Sequence, residues 1–468
     1  MLITSLPLLN LHRAFTAPHL KARKLNTPIL VSINYQLDCS LDPIDIFTRC
    51  QNISDHRFLW VHPDNNFWIV GAGAAVEIST SGLSRFETSI SEHKKLMSNA
   101  AIQGDGPGPT FLGGFRFDTF GKPNPCWKMF PDGLLTLPRW TFYNDDSSNW
   151  ITINTLINHT TDLHSLINQL TTEWALLNTR SEPTYRPPQI ELFKATPKNT
   201  WNNNVNSAID SIHKQHIQKV VLARNMECIS KQPIQVESIL KTLIQNNHSS
   251  HIFAIERRNS CFLGATPEKL VRLHNKSIDA QCLAGSINRG ATLTEDTLLQ
   301  KKLLESEKNL LEHTIAANWM AEKLNGLCSS LHHNQTPAIV QTPTIHHLST
   351  NFSGVLRKES HILRCVNELH PTPTISGLPT LSALEYIRDL EDFDRGWYSG
   401  PIGWLNRYGE GEFAVAIRSG VFNGTTTNLY AGAGIVPGSD PEQEYQETQF
   451  KFATILNTLE TTNESHTE

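Results

Sequence analysis

Short apolar segments separated by turn-forming residues constrain the fold of this chain more than any other feature of its sequence. Between residues 28 and 150, segments such as PILVSINYQL, FWIVGAGAAVEI and GLLTLPRWTFY alternate with Gly, Pro, Asn and Asp, which predicts mainly β-strands. From residue 201 onward, helical and strand-like segments alternate, and the Asn-Gly pair at 423–424 predicts a hairpin. Hairpin-linked strands of this kind favour an α+β fold with antiparallel sheets over regular βαβ winding.

Three further segments bear on the organisation of the chain. A long helical stretch is predicted from about 293 to 325, and a last helix is predicted to begin at 441. The segment 178–200 is rich in Pro, Thr and charge without a sustained period, which is typical of a linker. A chain of 468 residues can hold two or three average domains or one large enzyme domain with an N-terminal extension.

Charge and cysteine usage exclude several classes of partner and compartment. Lys plus Arg total 40 and Asp plus Glu total 45, so the formal net charge is -5, and no block of like charge suits nucleic acid or an anionic membrane. No run of about 18 uninterrupted apolar residues occurs, so no membrane span is predicted. The eight cysteines are scattered without a C-x-x-C pair, which predicts free thiols in a reducing compartment, the cytoplasm.

The stretch LYAGAGIVPGSDPEQEYQET, residues 429–448, combines a glycine turn with an acidic helix start. GAGIVPG has the spacing G-x-G-x-x-x-G and two prolines before the helix, which does not fit a dinucleotide-binding fingerprint. Gly432 and Gly434 nevertheless leave backbone N–H groups open to close approach by a carboxylate. On the helix that follows, Glu444, Glu447 and Lys451 share one edge, as either a solvated Glu447–Lys451 ion pair or part of a metal site.

A second acidic edge lies in LLESEKNLLEHTIAANW, where Glu305, Asn309 and Glu312 follow i, i+4, i+7 spacing. Two helices that each contribute one glutamate could hold a hard cation such as Mg²⁺ and leave coordination positions for water and a carboxylated substrate. Taken alone, each edge is better explained as surface charge.

The chain resembles the chorismate-binding enzymes in nine motifs that follow one another between residues 219 and 448: KVVLAR, FLGATPEKL, LAGSINRG, SEKNLLEH, HHLSTNFSGVL, LHPTPTISGLP, GWYSGPIGW, FAVAIRSG and AGAGIVPGSDPEQEYQET. The family includes isochorismate synthases, salicylate synthases and the synthase components for anthranilate and aminodeoxychorismate. FLGGFRFD and PDGLLTLPRW in the N-terminal half also resemble the isochorismate synthase branch.

The resemblance implies an α+β fold of two packed antiparallel sheets flanked by helices. Residues 1–200 would form a divergent N-terminal part of that fold, 201–460 the chorismate-binding catalytic core and 461–468 a polar tail. The segment 178–200 would then be an internal connection rather than a domain boundary.

The resemblance also implies a reaction and two catalytic residues. Conversion of chorismate to isochorismate adds water at C2 while the C4 hydroxyl leaves, which requires a base and an acid. Lys219 matches the base that activates water, and Glu268 matches the acid that protonates the departing hydroxyl. A lysine base needs a lowered pKa and a glutamic acid donor needs a raised one, relative to ordinary values of about 10.4 and 4.3.

The same resemblance assigns the remaining site residues. Glu312 and Glu447 match the Mg²⁺ ligands, Glu444 matches a water-mediated partner, and Asn309 stands where related enzymes often have an acidic residue. Tyr398 and Arg418 match the residues that hold the enolpyruvyl carboxylate, for which a guanidinium fork is well suited. Other matched contacts to the substrate anion are Gly285, Ser286, Gly432, Gly434 and Lys451. His370 matches a histidine near the substrate, although a packing role is equally compatible, and the pair His346–His347 lacks the companions of a zinc site.

The nucleophile distinguishes the branches of the family. Ammonia-using, anthranilate-type enzymes typically carry Gln where Lys219 stands, so the lysine favours water and no glutamine amidotransferase subunit is expected. The resemblance therefore favours an isochorismate synthase of the menaquinone type, acting as a monomer or homodimer. The alternatives are a salicylate synthase that goes on to eliminate pyruvate, a siderophore-pathway isochorismate synthase, and a non-catalytic chorismate-binding module.

Overall fold

The structure is a computed structural model that describes residues 8–122, 124–145, 147–179, 188–358 and 360–460. The predicted polar tail, 461–468, and part of the predicted connection, 180–187, lie outside these ranges. The described residues contain these α-helices: α1 (Leu8–Leu25), α2 (Pro43–Cys50), α3 (Arg85–Ser98), α4 (Leu163–Asn178), α5 (Lys198–His213), α6 (Val236–Asn246), α7 (Leu293–Glu305), α8 (Glu307–Leu327), α9 (Ile362–Leu369), α10 (Thr380–Leu390) and α11 (Pro441–Glu460).

The strands of the described residues follow in chain order: β1 (Ile29–Leu37), β2 (His56–His62), β3 (Phe67–Ala72), β4 (Val76–Thr80), β5 (Ala101–Gln103), β6 (Thr110–Phe115), β7 (Gly133–Leu137), β8 (Trp140–Asp145), β9 (Asn149–Ile157), β10 (Ile190–Ala195), β11 (Lys219–Ser230), β12 (His251–Arg257), β13 (Ser260–Thr266), β14 (Lys269–His274), β15 (Ser277–Asn288), β16 (Cys328–His333), β17 (Ala338–Gln341), β18 (Ile345–Leu356), β19 (Gly377–Leu378), β20 (Pro401–Asn406), β21 (Gly411–Val415), β22 (Ser419–Asn423) and β23 (Thr426–Ile435).

These strands form two large sheets. The first has the order β10-β11-β23-β22-β13-β12-β2-β3-β8-β9-β1-β5, with β19 paired to β11, and the second has the order β16-β18-β15-β14-β21-β20-β6-β7-β4, with β17 paired to β18. All the described pairs are antiparallel except β1 with β5. The Asn-Gly hairpin joins β22 to β23 as predicted, with Gly424 at a φ of +63°. The α+β prediction is therefore confirmed.

The two sheets pack against each other through buried side chains. Trp60 and Phe262 of the first sheet share one apolar cluster with Leu112, Ile402 and Ala414 of the second. Burial of such side chains stabilises a fold by roughly 1.5–3 kcal/mol each. The face-to-face packing fixes the ends of β11, β15 and β23 relative to one another, and these strands carry much of the candidate site.

Both halves of the chain contribute to both sheets. In the first sheet β2 pairs with β12, and in the second β6 pairs with β20. The predicted connection at 178–200 is more regular than a linker, because α4 continues to Asn178, β10 pairs with β11 and α5 begins at Lys198. Residues on either side of position 200 are thus parts of one fold.

One predicted helix is two helices. The stretch predicted from about 293 to 325 breaks at Ser306, whose Oγ caps α8 by accepting a hydrogen bond from the Asn309 backbone N–H at 3.4 Å. The sequence carried this signal, because serine is among the residues preferred at helix N-termini. The break makes α8 a separate helix, and α8 carries Glu312.

Two structural findings bear on the inferences drawn from composition. No helix among the described residues is long and apolar enough to cross a membrane. All eight cysteines are free thiols. The apolar N-terminal segment contributes to α1, where Leu11 and Phe15 are fully buried in the core.

Candidate active site

One cavity gathers most of the predicted site residues. Its walls come from β11, β15 and β23, from α8 and α11, and from loops between strands. All but three of the predicted residues line it: Glu268, Gly285, Ser286, Glu312, Tyr398, Arg418, Gly432, Gly434, Glu447 and Lys451. Lys219, Glu444 and His370 lie outside the lining.

Lys219 reaches the site from the first position of β11. The residue is fully buried, and its Nζ lies 3.0 Å from Glu312 Oε1. The contact is an ion pair without the alignment of a hydrogen bond, and the Nζ has no hydrogen-bond partner among the described residues. Gly434 makes room for this pair, because a Cβ there would lie 2.0 Å from Glu312 Oε1 and 3.2 Å from Lys219 Cε. The missing side chain at position 434 is therefore a steric requirement of the site.

Glu268 follows β13 and is almost completely buried. Burial raises the pKa of its carboxyl to about 7, against the opposing effects of a hydrogen bond from Thr374 and the charges of Lys219 and Lys451. The Thr374 hydroxyl donates to Glu268 Oε1 at 2.7 Å. The shift is in the direction that a proton donor needs, and such a carboxyl can hold a proton near neutral pH. Sequence reasoning missed Thr374, although it lies within the motif LHPTPTISGLP.

Glu444 and Glu447 of α11 are each paired with a lysine. Lys451 Nζ donates to Glu447 Oε1 at 2.6 Å and to the Gly432 carbonyl at 2.7 Å, and Lys308 of α8 forms an ion pair with Glu444. The sequence did not decide whether Glu447 and Lys451 form a solvated ion pair. The two residues do form an ion pair, but they line the cavity and do not lie on a solvated surface. Burial opposes ionisation of both carboxyls. For Glu447 the charges of Lys451 and Lys308 outweigh burial and lower its pKa, whereas burial and the neighbouring Glu447 charge raise the pKa of Glu444.

Arg418 and Tyr398 form the part of the cavity suited to an anion. Arg418 is buried, adopts a φ of +53° and donates from Nη2 to His347 Nε2 at 3.1 Å. Its Nη1 has no partner among the described residues, so a buried donor is left for a ligand. Burial lowers the pKa of Arg418 to about 10, and Tyr398 stacks on Tyr430 with ring centroids 5.2 Å apart.

A bulge in β15 places Gly285 and Ser286 in the wall. The pairing of β15 with β18 shifts between Leu283 and Ser286, and Gly285 adopts a φ of +77°. The Ser286 amide donates to Asn309 Oδ1 at 3.2 Å. Asn309 therefore supports the backbone of this wall, a role that its amide performs without an additional charge.

Comparison with known proteins identifies the family. The family model described as chorismate binding enzyme matches residues 15–460. The chain belongs to the chorismate-binding enzyme family. The isochorismate synthase MenF of Bacillus subtilis (strain 168) is 32% identical over 452 residues, covering 94% of this chain and 95% of that protein. The salicylate biosynthesis isochorismate synthase of Pseudomonas aeruginosa is 31% identical over 444 residues, covering 94% and 92%.

Solved structures share the fold of this chorismate-binding enzyme. The menaquinone-specific isochorismate synthase MenF from Escherichia coli aligns with a TM-score of 0.79 at 23% identity, covering 95% of this chain and 100% of that one. Anthranilate synthase component I from Streptococcus pneumoniae aligns with a TM-score of 0.66 at 20% identity, covering 83% and 92%. At these identities the likeness concerns the fold.

The acidic residues of this chorismate-binding enzyme fit a hard cation in part. Within the described ranges, no group of three or more His, Cys, Asp or Glu side chains is arranged to hold a metal ion. Two carboxylates from different helices, Glu312 and Glu447, do line the same cavity. Mg²⁺ is commonly bound through one or two carboxylates with substrate and water completing its shell, so two such ligands are sufficient. Glu444 is paired with Lys308 and does not line the cavity, so it does not belong with these two direct ligands.

His370 packs in the interior away from the cavity. Its Nε2 contacts the Phe117 carbonyl at 3.0 Å, and its ring lies near those of Phe86 and Phe117. Burial lowers its pKa to about 3, so the ring is neutral. Of the two interpretations left open by the sequence, the structure favours packing over substrate contact.

The histidine pair at 346–347 divides between two environments. His346 Nε2 lies 2.8 Å from Asp296 Oδ1, whereas His347 lines the cavity beside Arg418. Adjacent residues of a strand point to opposite faces, which separates the two rings. Sequence reasoning considered this pair only for zinc and missed the place of His347 in the site.

Glu268→Gln is expected to stabilise the protein in a pH-dependent way. The folded-state pKa of Glu268 is raised to about 7 from 4.5, so its contribution to stability is present below about pH 4.5 and is lost as pH rises through about 7. Glutamine cannot ionise. Between about pH 4.5 and pH 7, the wild type therefore loses stability that Glu268→Gln keeps. The difference in free energy of unfolding between the variant and the wild type should rise over this range, by on the order of 3 kcal/mol at most. Denaturant titrations at pH 5 and pH 8 measure the difference, and an equal difference at both values would contradict the assigned pKa.

Proposed function

We propose that this protein is an isochorismate synthase that converts chorismate to isochorismate with Mg²⁺. The observation that carries the proposal is a buried carboxyl, Glu268, whose raised pKa suits a proton donor, in a cavity that also contains Arg418 and two glutamates. Lys219 does not line the cavity itself, but it forms an ion pair with Glu312, which does. Relatives that match this chain over nearly their whole length are named isochorismate synthases.

In the proposed reaction, water attacks C2 of the chorismate ring while the C4 hydroxyl departs. Lys219 is the group that accepts a proton from the attacking water. The two ring double bonds shift from C1=C2 and C5=C6 to C1=C6 and C4=C5, and Glu268 donates its proton to the leaving hydroxyl. One water enters and one leaves, so the product is an isomer of the substrate. Lys219 ends protonated and Glu268 ends ionised, and solvent restores both.

The two carboxylates of chorismate require separate binding groups. Arg418, with a free buried N–H, and Tyr398 would hold the enolpyruvyl carboxylate. Glu312 and Glu447 would hold Mg²⁺, with Glu444 acting through water. The metal, when bound, neutralises the ring carboxylate and orients the substrate. Gly432, Gly434, Gly285 and Ser286 provide close backbone approach, and Lys451 adds positive charge.

The pathway assignment rests on the relatives. The similarity to MenF of Bacillus subtilis extends over 94% of this chain and 95% of that protein, which favours a menaquinone-type role. A lysine in the position of the base implies water as nucleophile, so we expect no amidotransferase subunit. We also propose that the protein is cytoplasmic and that it is a monomer or a homodimer.

Product analysis tests this function. Purified protein would be incubated with chorismate and Mg²⁺, and isochorismate, salicylate, pyruvate and anthranilate would be separated by chromatography. We expect isochorismate in equilibrium with chorismate, and no turnover after metal chelation. Salicylate with pyruvate would identify a salicylate synthase instead, and no turnover with metal present would favour a binding module.

A further inference from the structure

Arg224 is a fully buried cation with an unusual set of partners. It lies on β11, five positions after Lys219, and is completely inaccessible to solvent. In the part of the chain that the structure describes, it forms no ion pair with a carboxylate. Burying a cation without an opposite charge is costly, so this guanidinium must make contacts that an apolar side chain could not replace.

Its two side-chain hydrogen bonds both fall on α11, while the guanidinium carbon also lies 5.7 Å from the centroid of the Trp201 ring on α5. Arg224 Nε donates to Thr448 Oγ1 at 2.8 Å, and Nη2 donates to Gln449 Oε1 at 3.0 Å. The guanidinium carbon lies 3.9 Å from the centroid of the Tyr445 ring. Thr448 Oγ1 in turn donates to the Tyr445 carbonyl at 2.6 Å. One side chain of the sheet therefore binds two successive turns of the helix.

The residues that Arg224 contacts on α11 lie next to the glutamates assigned to the metal. Tyr445 and Thr448 directly follow Glu444 and Glu447 in the sequence. Because carboxylate oxygens lie roughly 5–6 Å from a helix axis, a rotation of 10° about that axis moves them by about 1 Å. Metal–ligand distances tolerate only about 0.2 Å. A small rotation of α11 would thus remove Glu447 from a metal that Glu312 also binds.

We propose that Arg224 is a positioning residue that fixes the rotation of α11, so that Glu447 faces Glu312 across the cavity. This inference rests on the proposed function. Arginine suits the task because its planar fork donates in two directions while its face stacks on an aromatic ring. Lysine has neither the fork nor the stacking face.

The test compares Mg²⁺ affinity in Arg224→Lys with that in wild type by isothermal titration calorimetry, alongside kcat and KM for chorismate. We expect Mg²⁺ binding to weaken by at least about tenfold, as for other groups that orient metal ligands. The matched control is Arg57→Lys, since Arg57 is a buried arginine bonded to Glu237 and Glu256 and lies outside the cavity lining. It should lose thermal stability without a change in Mg²⁺ affinity.

A second variant keeps the test independent of folding. Thr448→Val removes the acceptor of Arg224 Nε at nearly constant volume, and it should also weaken Mg²⁺ binding. The double variant should show less than the sum of the two single effects, because both changes break the same contact. Mg²⁺ affinity within about twofold of wild type in folded Arg224→Lys or Thr448→Val would overturn the inference. Failure of wild type itself to bind Mg²⁺ or convert chorismate would instead contradict the proposed function.

Discussion

Lys219→Ala is expected to lower kcat by about 10²–10⁴-fold, because positioned general bases contribute to that extent. The side chain is buried at the start of β11, and its Nζ is 3.0 Å from Glu312 Oε1. Without the amine, the water that attacks C2 has no acceptor for its proton. Steady-state kinetics with chorismate and saturating Mg²⁺ measure the change, and thermal melting checks that the variant remains folded.

Lys219→Arg separates the role of base from that of a charge partner for Glu312. Arginine keeps a positive charge near the carboxylate, but its guanidinium cannot be deprotonated in proteins. If Lys219 is the base, Lys219→Arg should be as impaired as Lys219→Ala. Near-wild-type turnover of the arginine variant would assign Lys219 only to charge pairing, and unchanged turnover of the alanine variant would remove it from the reaction.

Glu312→Gln is expected to weaken Mg²⁺ and chorismate binding together, with Mg²⁺ affinity reduced by at least about tenfold. Glutamine keeps the size that fits against Gly434 but removes the negative charge that a hard cation requires. If the metal orients the ring carboxylate, KM for chorismate should rise with the loss of metal. Calorimetry with Mg²⁺ and kinetics over a range of Mg²⁺ concentrations measure both effects.

Glu322→Gln provides the matched control. Glu322 lies on the same helix, α8, but its side chain is exposed and away from the cavity. This variant should keep wild-type Mg²⁺ dependence. Glu312→Gln with unchanged Mg²⁺ dependence would refute the assignment of Glu312 as a ligand.

Much of the fold was predictable because its signals are local. Strand-like segments bounded by turn residues, and an Asn-Gly hairpin at 423–424, are enough to indicate antiparallel sheets. The order of strands within each sheet was not predictable. Pairs such as β2 with β12 join segments far apart in the chain, and their register depends on packing between the two sheets.

The motifs pointed to residues of which most line one cavity, but they did not indicate how the side chains pair with one another. Whether Glu447 faced solvent or a cavity depended on how α11 packs. The partner of Glu444 is Lys308, 136 positions away, which no spacing pattern could indicate. The raised pKa of Glu268 depends first on burial, which only the folded structure provides. His370 shows the opposite case, since its motif matched but its ring packs against Phe117.

The most direct test of the proposed chemistry is the reaction in oxygen-18-labelled water. Chorismate and Mg²⁺ would be incubated with the protein, and the product analysed by mass spectrometry. Addition of water at C2 predicts isochorismate that carries one labelled oxygen in its new hydroxyl group. Isochorismate without label, or no isochorismate at all, would contradict the account.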